Sequence, residues 1–327
     1  MSLASSPTFR QGIFKSAGVR RIARWLDAMP VLPLAVEIGG DRLAAVRWAR
    51  NGAVGDIAIE PLLPGAVVPS AVEKNLANPD VVRAAMAKAC KRLHADDEDI
   101  AMILPDPVIR VFVQHFEEFP RSPEEALPIL RWKLRKSVPF GVDETVLSYM
   151  RQAPREGGVD VLTAFARLSI VREYEELAES MGLRAGVILS SSLAAVSLLE
   201  EHSTALLARV SGTILTTAIV RDGTLCGYRC TELPTRGKDL TPQMLVEEMF
   251  PATVYYRETW REDVKVIRVA GLNARLPEFI DPLQNEFKCS VKSLLHSAVS
   301  EGRIPEHGRP LAESELEGLA GWMMNRG

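Results

Sequence analysis

One stretch of this sequence occurs twice, and that repetition constrains the fold more than any other feature. The first copy covers residues 34–52 and the second covers residues 206–223. Glu37 and Arg209 hold equivalent places in them, 172 positions apart (209 − 37). Each copy has two apolar runs separated by a glycine turn, the pattern of a β-hairpin. The sequence therefore predicts two related lobes, each with a hairpin at its centre.

The turns within the repeat carry the first functional signal. Each copy ends in a dipeptide suited to a tight hairpin turn, Asn51-Gly52 or Asp222-Gly223, because both residues of a type I′ turn need positive φ. Between its first two strands each copy has a second turn, Gly39-Gly40 or Ser211-Gly212. An aliphatic strand that ends in such a turn can bring backbone N–H groups close to a phosphate. We therefore expect one phosphate-type turn in each lobe.

Composition limits the class of protein. A chain of 327 residues with 47% hydrophobic and 25% charged residues is ordinary for a soluble protein of two or more subdomains. The net charge of −3 gives no reason to expect nucleic acid as a partner. The sequence has no apolar run of eighteen residues and no signal-peptide pattern, so we expect a cytoplasmic protein. Its four cysteines and five histidines lack metal-ligand spacing, so no metal site is predicted.

The first 30 residues differ from the rest. Between residues 10 and 24, five arginines and lysines alternate with apolar residues, and Trp25 follows. The segment 1–29 could form a basic amphipathic helix that touches anionic lipid. It could instead be a frayed helix or a disordered leader.

Several helix and strand signals lie between the two copies of the repeat. Ser122-Pro123-Glu124-Glu125 is a capping box that predicts a helix start. Two strands joined at Gly157-Gly158 follow, and then a helix that stops at Gly182. The strand 185–189 is expected to complete a βαββαβ block. The sequence thus predicts a small α/β subdomain inserted after the first sheet.

Short motifs in a fixed order complete the picture. They are Ile103-Leu104-Pro105, Arg131-Trp132-Lys133, Val138-Pro139-Phe140, Leu147-Ser148-Tyr149, Tyr255-Tyr256-Arg257 and Gly318-Leu319. In this order they resemble the pilus-assembly proteins of the PilM type, which are relatives of FtsA and of the cytoplasmic part of GspL. The likeness extends over about residues 34–324.

The resemblance implies a two-lobed α/β fold, actin-like and ribonuclease H-like, with an inserted 1C-type subdomain. After a leader (1–30), subdomain 1A would cover 31–117 and subdomain 1C 118–189. The second lobe (2A/2B) would cover 190–327, with its last helix returning toward the first lobe. The resemblance also implies a cytoplasmic scaffold on the inner-membrane platform of a type IV pilus or related secretion system. Its partner would be the cytoplasmic N-terminal peptide of a PilN-like single-pass membrane protein.

The sequence departs from the family at the nucleotide site. Glu37 stands in the first phosphate loop where the family has aspartate, and Arg209 replaces the aspartate of the second. Magnesium needs carboxylate or hydroxyl oxygens, whereas an arginine repels it. We therefore expect a non-catalytic pseudo-ATPase without a firmly bound cofactor, in which Arg209 pairs with Glu37 or contacts a phosphate directly. The vestigial nucleotide cleft is expected at Glu37, Gly39, Gly40, Arg209, Ser211, Gly212, Ala270 and Gly271.

Alternatives stay open at this stage. The protein could be an active ATP–Mg-binding ATPase or filament former of the PilM/FtsA type, or a small-molecule kinase with Asp41 or Asp222 as its catalytic base. Within the inserted subdomain, a basic-aromatic set is expected to line a partner groove between 1A and 1C. Trp132 and Phe140 could instead pack in the core of the subdomain. The set is Arg131, Trp132, Arg135, Val138 and Phe140.

Overall fold

The computed structural model describes residues 32–49, 52–200, 202–235 and 239–324. The leader 1–30 therefore lies outside the described residues. The first lobe is built on a five-stranded sheet with the order β3-β2-β1-β4-β8. β1 pairs antiparallel with β2 and parallel with β4. These strands are β1 (Leu34–Ile38), β2 (Arg42–Trp48), β3 (Val54–Pro61), β4 (Asp99–Leu104) and β8 (Arg184–Ser190).

The second lobe repeats this architecture. Its sheet has the order β11-β10-β9-β12-β13, with β9 at the centre as β1 is in the first sheet. β9 pairs antiparallel with β10 and parallel with β12. The duplication predicted from the sequence is confirmed by the matching order of the two sheets. Its strands are β9 (Thr204–Ser211), β10 (Ile214–Arg221), β11 (Thr224–Glu232), β12 (Val266–Ala270) and β13 (Ser290–Ser293).

A third sheet forms the insertion. Its three strands, β5 (Arg110–Phe116), β6 (Thr145–Arg155) and β7 (Gly158–Arg167), pair in the order β5-β7-β6. The helix α2 (Pro123–Leu134) packs on it through Ala126 and Leu130. The inserted α/β unit expected from the sequence is therefore present.

The strands group differently from the predicted boundaries. The strand expected at 185–189 as the last of the insertion is β8, which pairs with β4 at the edge of the first sheet. The preceding helix α3 (Leu168–Glu179) buries Ile170 and Tyr174 in the core of the first lobe, and this packing returns the chain to the first sheet. β5 lies before the predicted boundary at residue 118 and nevertheless pairs with β7 of the insertion.

The remaining helices follow the local signals of the sequence. Asn78 accepts a hydrogen bond from the Val81 N–H (3.4 Å) at the start of α1 (Pro79–Leu93). Ser122 caps α2 in the same way, and Thr241 caps α5 (Pro242–Trp260). No helix among the described residues is long and apolar enough to cross a membrane. The other helices are α1 (Pro79–Leu93), α4 (Ser191–Ala195), α5 (Pro242–Trp260), α6 (Leu276–Phe287), α7 (Leu294–Ser300), α8 (Arg309–Glu313) and α9 (Glu317–Met324).

The last helix packs against the first lobe. In α9, Gly321 lies so close to α4 that an added Cβ would stand 2.1 Å from the Ala194 carbonyl oxygen. A Cβ on Gly318 would stand 2.6 Å from the Glu37 Oε1 atom. The two glycines thus allow α9 to approach both α4 and the end of β1. This approach brings the amino end of α9 to the space between the two sheets.

Candidate functional site

Two hairpin turns of the repeat face each other across a cavity of about 760 Å³ between the lobes. In the first turn, the Gly39 N–H donates to the Arg42 carbonyl oxygen (2.8 Å), which closes a two-residue loop. In the second turn, Ser211 pairs with Ile214 around another two-residue loop that contains Gly212. Both loops line the cavity, as the repeat predicted.

Arg209 lies at the centre of this cavity, at the end of β9. Its guanidinium forms ion pairs with three carboxylates, at 3.5 Å from Glu37, 3.5 Å from Asp106 and 3.8 Å from Glu317. The pairing expected between Glu37 and Arg209 is therefore present. The side chain of Arg209 is only 11% exposed. We refer to Arg209, Glu37, Asp106 and Glu317 as the Arg209 cluster.

Each carboxylate comes from a different element. Glu37 ends β1, Asp106 follows β4, and Glu317 begins α9. Because β1 and β4 are parallel neighbours, their carboxyl ends meet at one edge of the sheet. The cluster therefore joins the central strand of the second sheet to two strands of the first sheet and to the last helix.

Neutral donors hold two of the carboxylates in place. The Ser191 hydroxyl donates to Glu37, which also accepts from the Leu319 N–H of α9 (3.2 Å). A carboxylate at a helix amino end is favoured by the helix dipole.

Asp106 is the most fully satisfied of the three carboxylates. It accepts from the Ser192 N–H (2.7 Å), the Thr216 hydroxyl (2.8 Å) and the Tyr228 hydroxyl (3.3 Å). The Ser192 hydroxyl also donates to it. The side chain is only 2% exposed, so these donors replace the water that it loses on burial.

The charges of the cluster influence one another. Burial alone would lower the pKa of Arg209, but Glu317, Asp106 and Glu37 together outweigh burial and raise it. Burial raises the pKa of Glu317; Arg209 lowers that pKa in part, while Glu37 raises it further. The cluster thus favours the charged form of Arg209 and disfavours the charged form of Glu317.

The charges around Arg209 matter for a magnesium-bound triphosphate. The Arg209 guanidinium lies among the carboxylates that would have to bind the metal, and a divalent cation there would be repelled by it. Among the described residues, no group of His, Cys, Asp or Glu has the arrangement of a metal site. Among the described residues that line the cavity, acids outnumber bases. The acids are Glu37, Asp41, Asp106, Glu232, Glu315 and Glu317, and the bases are Arg42, Arg110 and Arg209.

The turn after β12 completes the predicted cleft. A Cβ on Gly271 would stand 1.8 Å from the Val210 carbonyl oxygen, so this turn lies directly against β9. Ala270 and Gly271 also line a neighbouring cavity of about 500 Å³, whose other walls include Leu276 and Leu295. The structure therefore places all eight residues of the predicted cleft around two adjoining cavities.

The five predicted groove residues do not share one surface. Trp132 is 69% exposed on α2, and Arg135 is also exposed. Val138 is buried and Phe140 half-buried, and both pack with Leu134 and Phe165. Arg131 is half-buried on the flank of α2. The core packing considered for Trp132 is wrong, whereas it holds for Phe140.

The two aspartates considered for a kinase have different positions. Asp41 is exposed in the first hairpin turn and lines the main cavity. Asp222 has a φ of 48° in the β10–β11 turn, followed by Gly223 at 71°, as a type I′ hairpin requires. Asp222 is absent from the residues that line the cavity between the lobes.

Several residues of the site were not anticipated from the sequence. Asp106 and Glu317 complete the cluster, and Ser191, Ser192 and Thr216 support it. One signal could have identified Asp106, because it closely follows an apolar strand, where site residues of parallel sheets collect. Glu317 directly precedes the Gly318-Leu319 motif, although nothing in the sequence relates it to Arg209.

Comparison with known proteins identifies the fold. No protein-family model matches the sequence, and no curated protein is similar to it. A solved PilM–PilN type IV pilus biogenesis complex contains a chain that superposes with a TM-score of 0.72 at 18% identity, covering 91% of this chain and 100% of that one. The cytoplasmic domain of EpsL, an inner-membrane component of the type II secretion system of Vibrio cholerae, gives 0.48 at 9% identity, covering 83% and 94%.

The first of these similarities extends over the whole of the other chain. The two-lobed actin-like fold with an inserted α/β unit, which the resemblance implied, is therefore confirmed.

Proposed function

We propose that this chain is a non-catalytic, actin-like scaffold of a type IV pilus or a related secretion system. It would act in the cytoplasm, peripheral to the inner membrane, and bind the cytoplasmic peptide of a PilN-like membrane protein. The fold supports the assembly role, because it is shared with a PilM protein that was solved together with PilN. The Arg209 cluster supports the absence of catalysis.

The position of Arg209 is the observation that supports a protein without catalytic activity. Three carboxylates converge on one point between the lobes, and the cation at that point is a side chain of the protein itself. Metal-assisted phosphoryl transfer needs an ion that bridges phosphate oxygens. With Arg209 in that place, the lobes close on an internal ion cluster instead of a nucleotide.

Nucleotide titration tests this part. We expect ATP with magnesium to leave the thermal unfolding temperature unchanged and the protein to release no phosphate. Ligands that bind the native state raise this temperature by mass action. An unfolding temperature that stays constant up to millimolar ATP therefore excludes binding in that concentration range. Hydrolysis that is abolished by Glu37→Ala would refute the proposal.

The peptide site is proposed at the outer part of the 760 Å³ cavity, where the first lobe meets the insertion. Val68, which is 51% exposed, and Pro69 form one wall of it. Pro107 and Arg110 line it at the entry to the insertion. Arg110 has no ion pair with any described residue, so it is free to meet a carboxylate of the peptide. An extended apolar peptide with one acidic group suits this groove.

The wall that carries Val68 is held by α3 of the first lobe and by the last residue of β7 in the insertion. The Glu173 carboxylate of α3 accepts from the backbone N–H groups of Asn75 (2.8 Å) and Leu76 (3.0 Å). Arg167 donates to the Val72 carbonyl oxygen (2.7 Å). A groove with a fixed wall loses less conformational entropy when a peptide binds.

Calorimetric titration with a synthetic peptide tests the partner. The peptide should carry the cytoplasmic N-terminal segment of a PilN-like single-pass membrane protein. We expect Val68→Asp and Arg110→Glu each to weaken binding at least tenfold. Phe250→Asp, an equally exposed apolar position on α5, serves as the matched control and should bind normally.

A fourth variant, Arg135→Glu, tests the surface predicted from the sequence. Loss of binding in this variant alone would place the peptide on α2. Normal binding by all four variants would remove the proposed groove.

A further inference from the structure

The outer face of α2 is exposed and has no role in the proposed function. The helix packs on its sheet through Ala126, Leu130 and Leu134, which recur every four residues and so share one face. The opposite face is formed by Pro128, Ile129, Trp132, Arg135 and Lys136 around the carboxyl end of the helix.

Trp132 is the unusual member of this face. It is 69% exposed, whereas Trp48 and Trp322 are 4% and 1% exposed and Trp260 is half-buried. Ile129, one turn earlier on the same face, is 38% exposed. Large apolar side chains that are exposed together on a helix mark a surface that is covered in the working state of a protein.

The cations beside Trp132 indicate what covers it. Arg135 and Lys136 are exposed and form no ion pair with any described residue. Lys133 differs, because it donates to the His115 carbonyl oxygen (3.0 Å) and lies over the Phe116 ring (3.8 Å). Both free cations lie at the end of the helix that carries Trp132, while Glu124 and Glu125 lie in its first turn.

We propose that this α2 face is a membrane-contact surface for anionic phospholipid. Tryptophan favours the boundary between headgroups and acyl chains, where its ring is apolar and its N–H is hydrated. Lysine and arginine next to it attract the negative cytoplasmic leaflet. Trp132 and Ile129 would enter the interface, and Arg135 and Lys136 would contact the headgroup phosphates. An acidic peptide would pair with Arg135 and Lys136 but would not need an exposed tryptophan beside them.

Quenching by brominated lipid tests this contact at the residue itself. The full chain carries Trp25→Phe, so that the leader gives no tryptophan signal. Vesicles contain brominated phosphatidylcholine, either alone or mixed three to one with phosphatidylglycerol. We expect the mixed vesicles to quench the emission and the phosphatidylcholine vesicles to quench much less. A further Trp132→Phe change should abolish the quenching.

Charge variants separate this surface from the leader. Arg135→Glu with Lys136→Glu should weaken mixed-vesicle binding at least tenfold, since each lost cation alone accounts for roughly a fivefold change. Arg83→Glu changes an exposed arginine on α1 and is the matched control. Its tryptophan emission should be quenched as strongly as that of the parent protein.

Two results would overturn the proposal. One is vesicle sedimentation without any quenching of Trp132, which would assign membrane binding to other residues. The other is protection of Trp132 by the partner peptide while vesicles leave its emission unchanged. Neither result bears on ATP binding. The first result leaves the Val68 groove unaffected, whereas the second would move the peptide site to α2, so failure of the membrane contact and failure of the groove can be told apart.

Discussion

At the scale of single residues, Arg209 changes what the site can do. In a cavity built from two hairpin turns, it adds a fixed positive charge, whereas the metal ion of a bound nucleotide would add a mobile one. Its three carboxylate partners belong to the first sheet and the last helix, so the ion pairs join the two lobes directly. Removing one member of a buried ion network costs more stability than the whole network contributes, because the remaining charges are left buried without a partner.

This asymmetry predicts a large effect of Arg209→Ala. Removing the cation leaves three buried carboxylates facing one another, and we expect the free energy of unfolding to fall by about 3–5 kcal/mol. Arg209→Met keeps most of the side-chain volume and should lose nearly as much. Urea denaturation measures both. Arg83→Ala, which breaks the exposed pair with Asp80, should cost less than about 1 kcal/mol. Equal losses of unfolding free energy for Arg83→Ala and Arg209→Ala would show that the buried cluster contributes no more than an exposed ion pair.

Glu317 gives the cluster a pH dependence of known sign. Its pKa is raised in the folded protein above the ordinary value of 4.5, first by burial and then by Glu37. Folding therefore favours the protonated form. The stability that this gives is fully present below about pH 4.5 and is lost as the pH rises through the folded-state value.

Glu317→Gln should remove this dependence. We expect the variant to be more stable than the parent at pH 7 and equally stable at pH 4, as measured by urea unfolding across that range. Glu313→Gln, an exposed position on α8, is the control and should follow the parent at every pH. A variant that is less stable than the parent at pH 7 would show that the pairing with Arg209 outweighs the cost of burial.

At the scale of elements, α9 depends on glycine for its position. Glycine inside a helix normally costs up to about 1 kcal/mol relative to alanine. Gly318 and Gly321 are kept on the face that touches Glu37 and α4, where a Cβ would meet atoms closer than 3 Å. The close approach also brings the Leu319 N–H to Glu37.

Gly321→Ala should therefore destabilise the protein although alanine is the better helix former. The added methyl group would stand 2.1 Å from the Ala194 carbonyl oxygen, so α9 must move away from α4. We expect a loss of about 1–3 kcal/mol, as for other overpacked sites, in thermal or urea unfolding. Gly141→Ala is the matched control, because a Cβ there meets nothing within 4 Å and the φ of −63° suits alanine. A stabilising effect of Gly321→Ala would contradict the close packing of α9 against α4.

The elements also show how far the sequence could predict the fold. Hairpins such as Asp222-Gly223 and caps such as Ser122 depend on neighbouring residues, so they were predictable. The Glu37–Arg209 pair was predictable because the two residues hold equivalent places in a repeat. Asp106 and Glu317 lie 103 (209 − 106) and 108 (317 − 209) residues from Arg209, and no local pattern relates them. The pairing of β8 with the first sheet was missed for the same reason.

At the scale of the whole molecule, the insertion is fixed to the second lobe. The Gln152 amide of β6 donates to the Leu225 carbonyl oxygen (2.8 Å) and accepts from the Leu225 N–H (2.9 Å). The Trp260 ring has the guanidinium of Arg155 at 4.5 Å and that of Arg221 at 5.3 Å. With the Arg209 cluster, these contacts tie all three sheets together.

Gln152→Ala should loosen this connection without unfolding either unit. It leaves both backbone groups of Leu225 unpaired in a buried place, which costs about 1–3 kcal/mol. Hydrogen exchange should show faster exchange at Leu225 and along β6, while β9 and β12 keep their protection. Gln114→Ala is the control within the same small sheet, because the side-chain amide oxygen of Gln114 is buried without a hydrogen-bond partner among the described residues. Equal exchange in the two variants would mean that the insertion is held by apolar packing alone, and the peptide groove beside Arg110 would then need another source of rigidity.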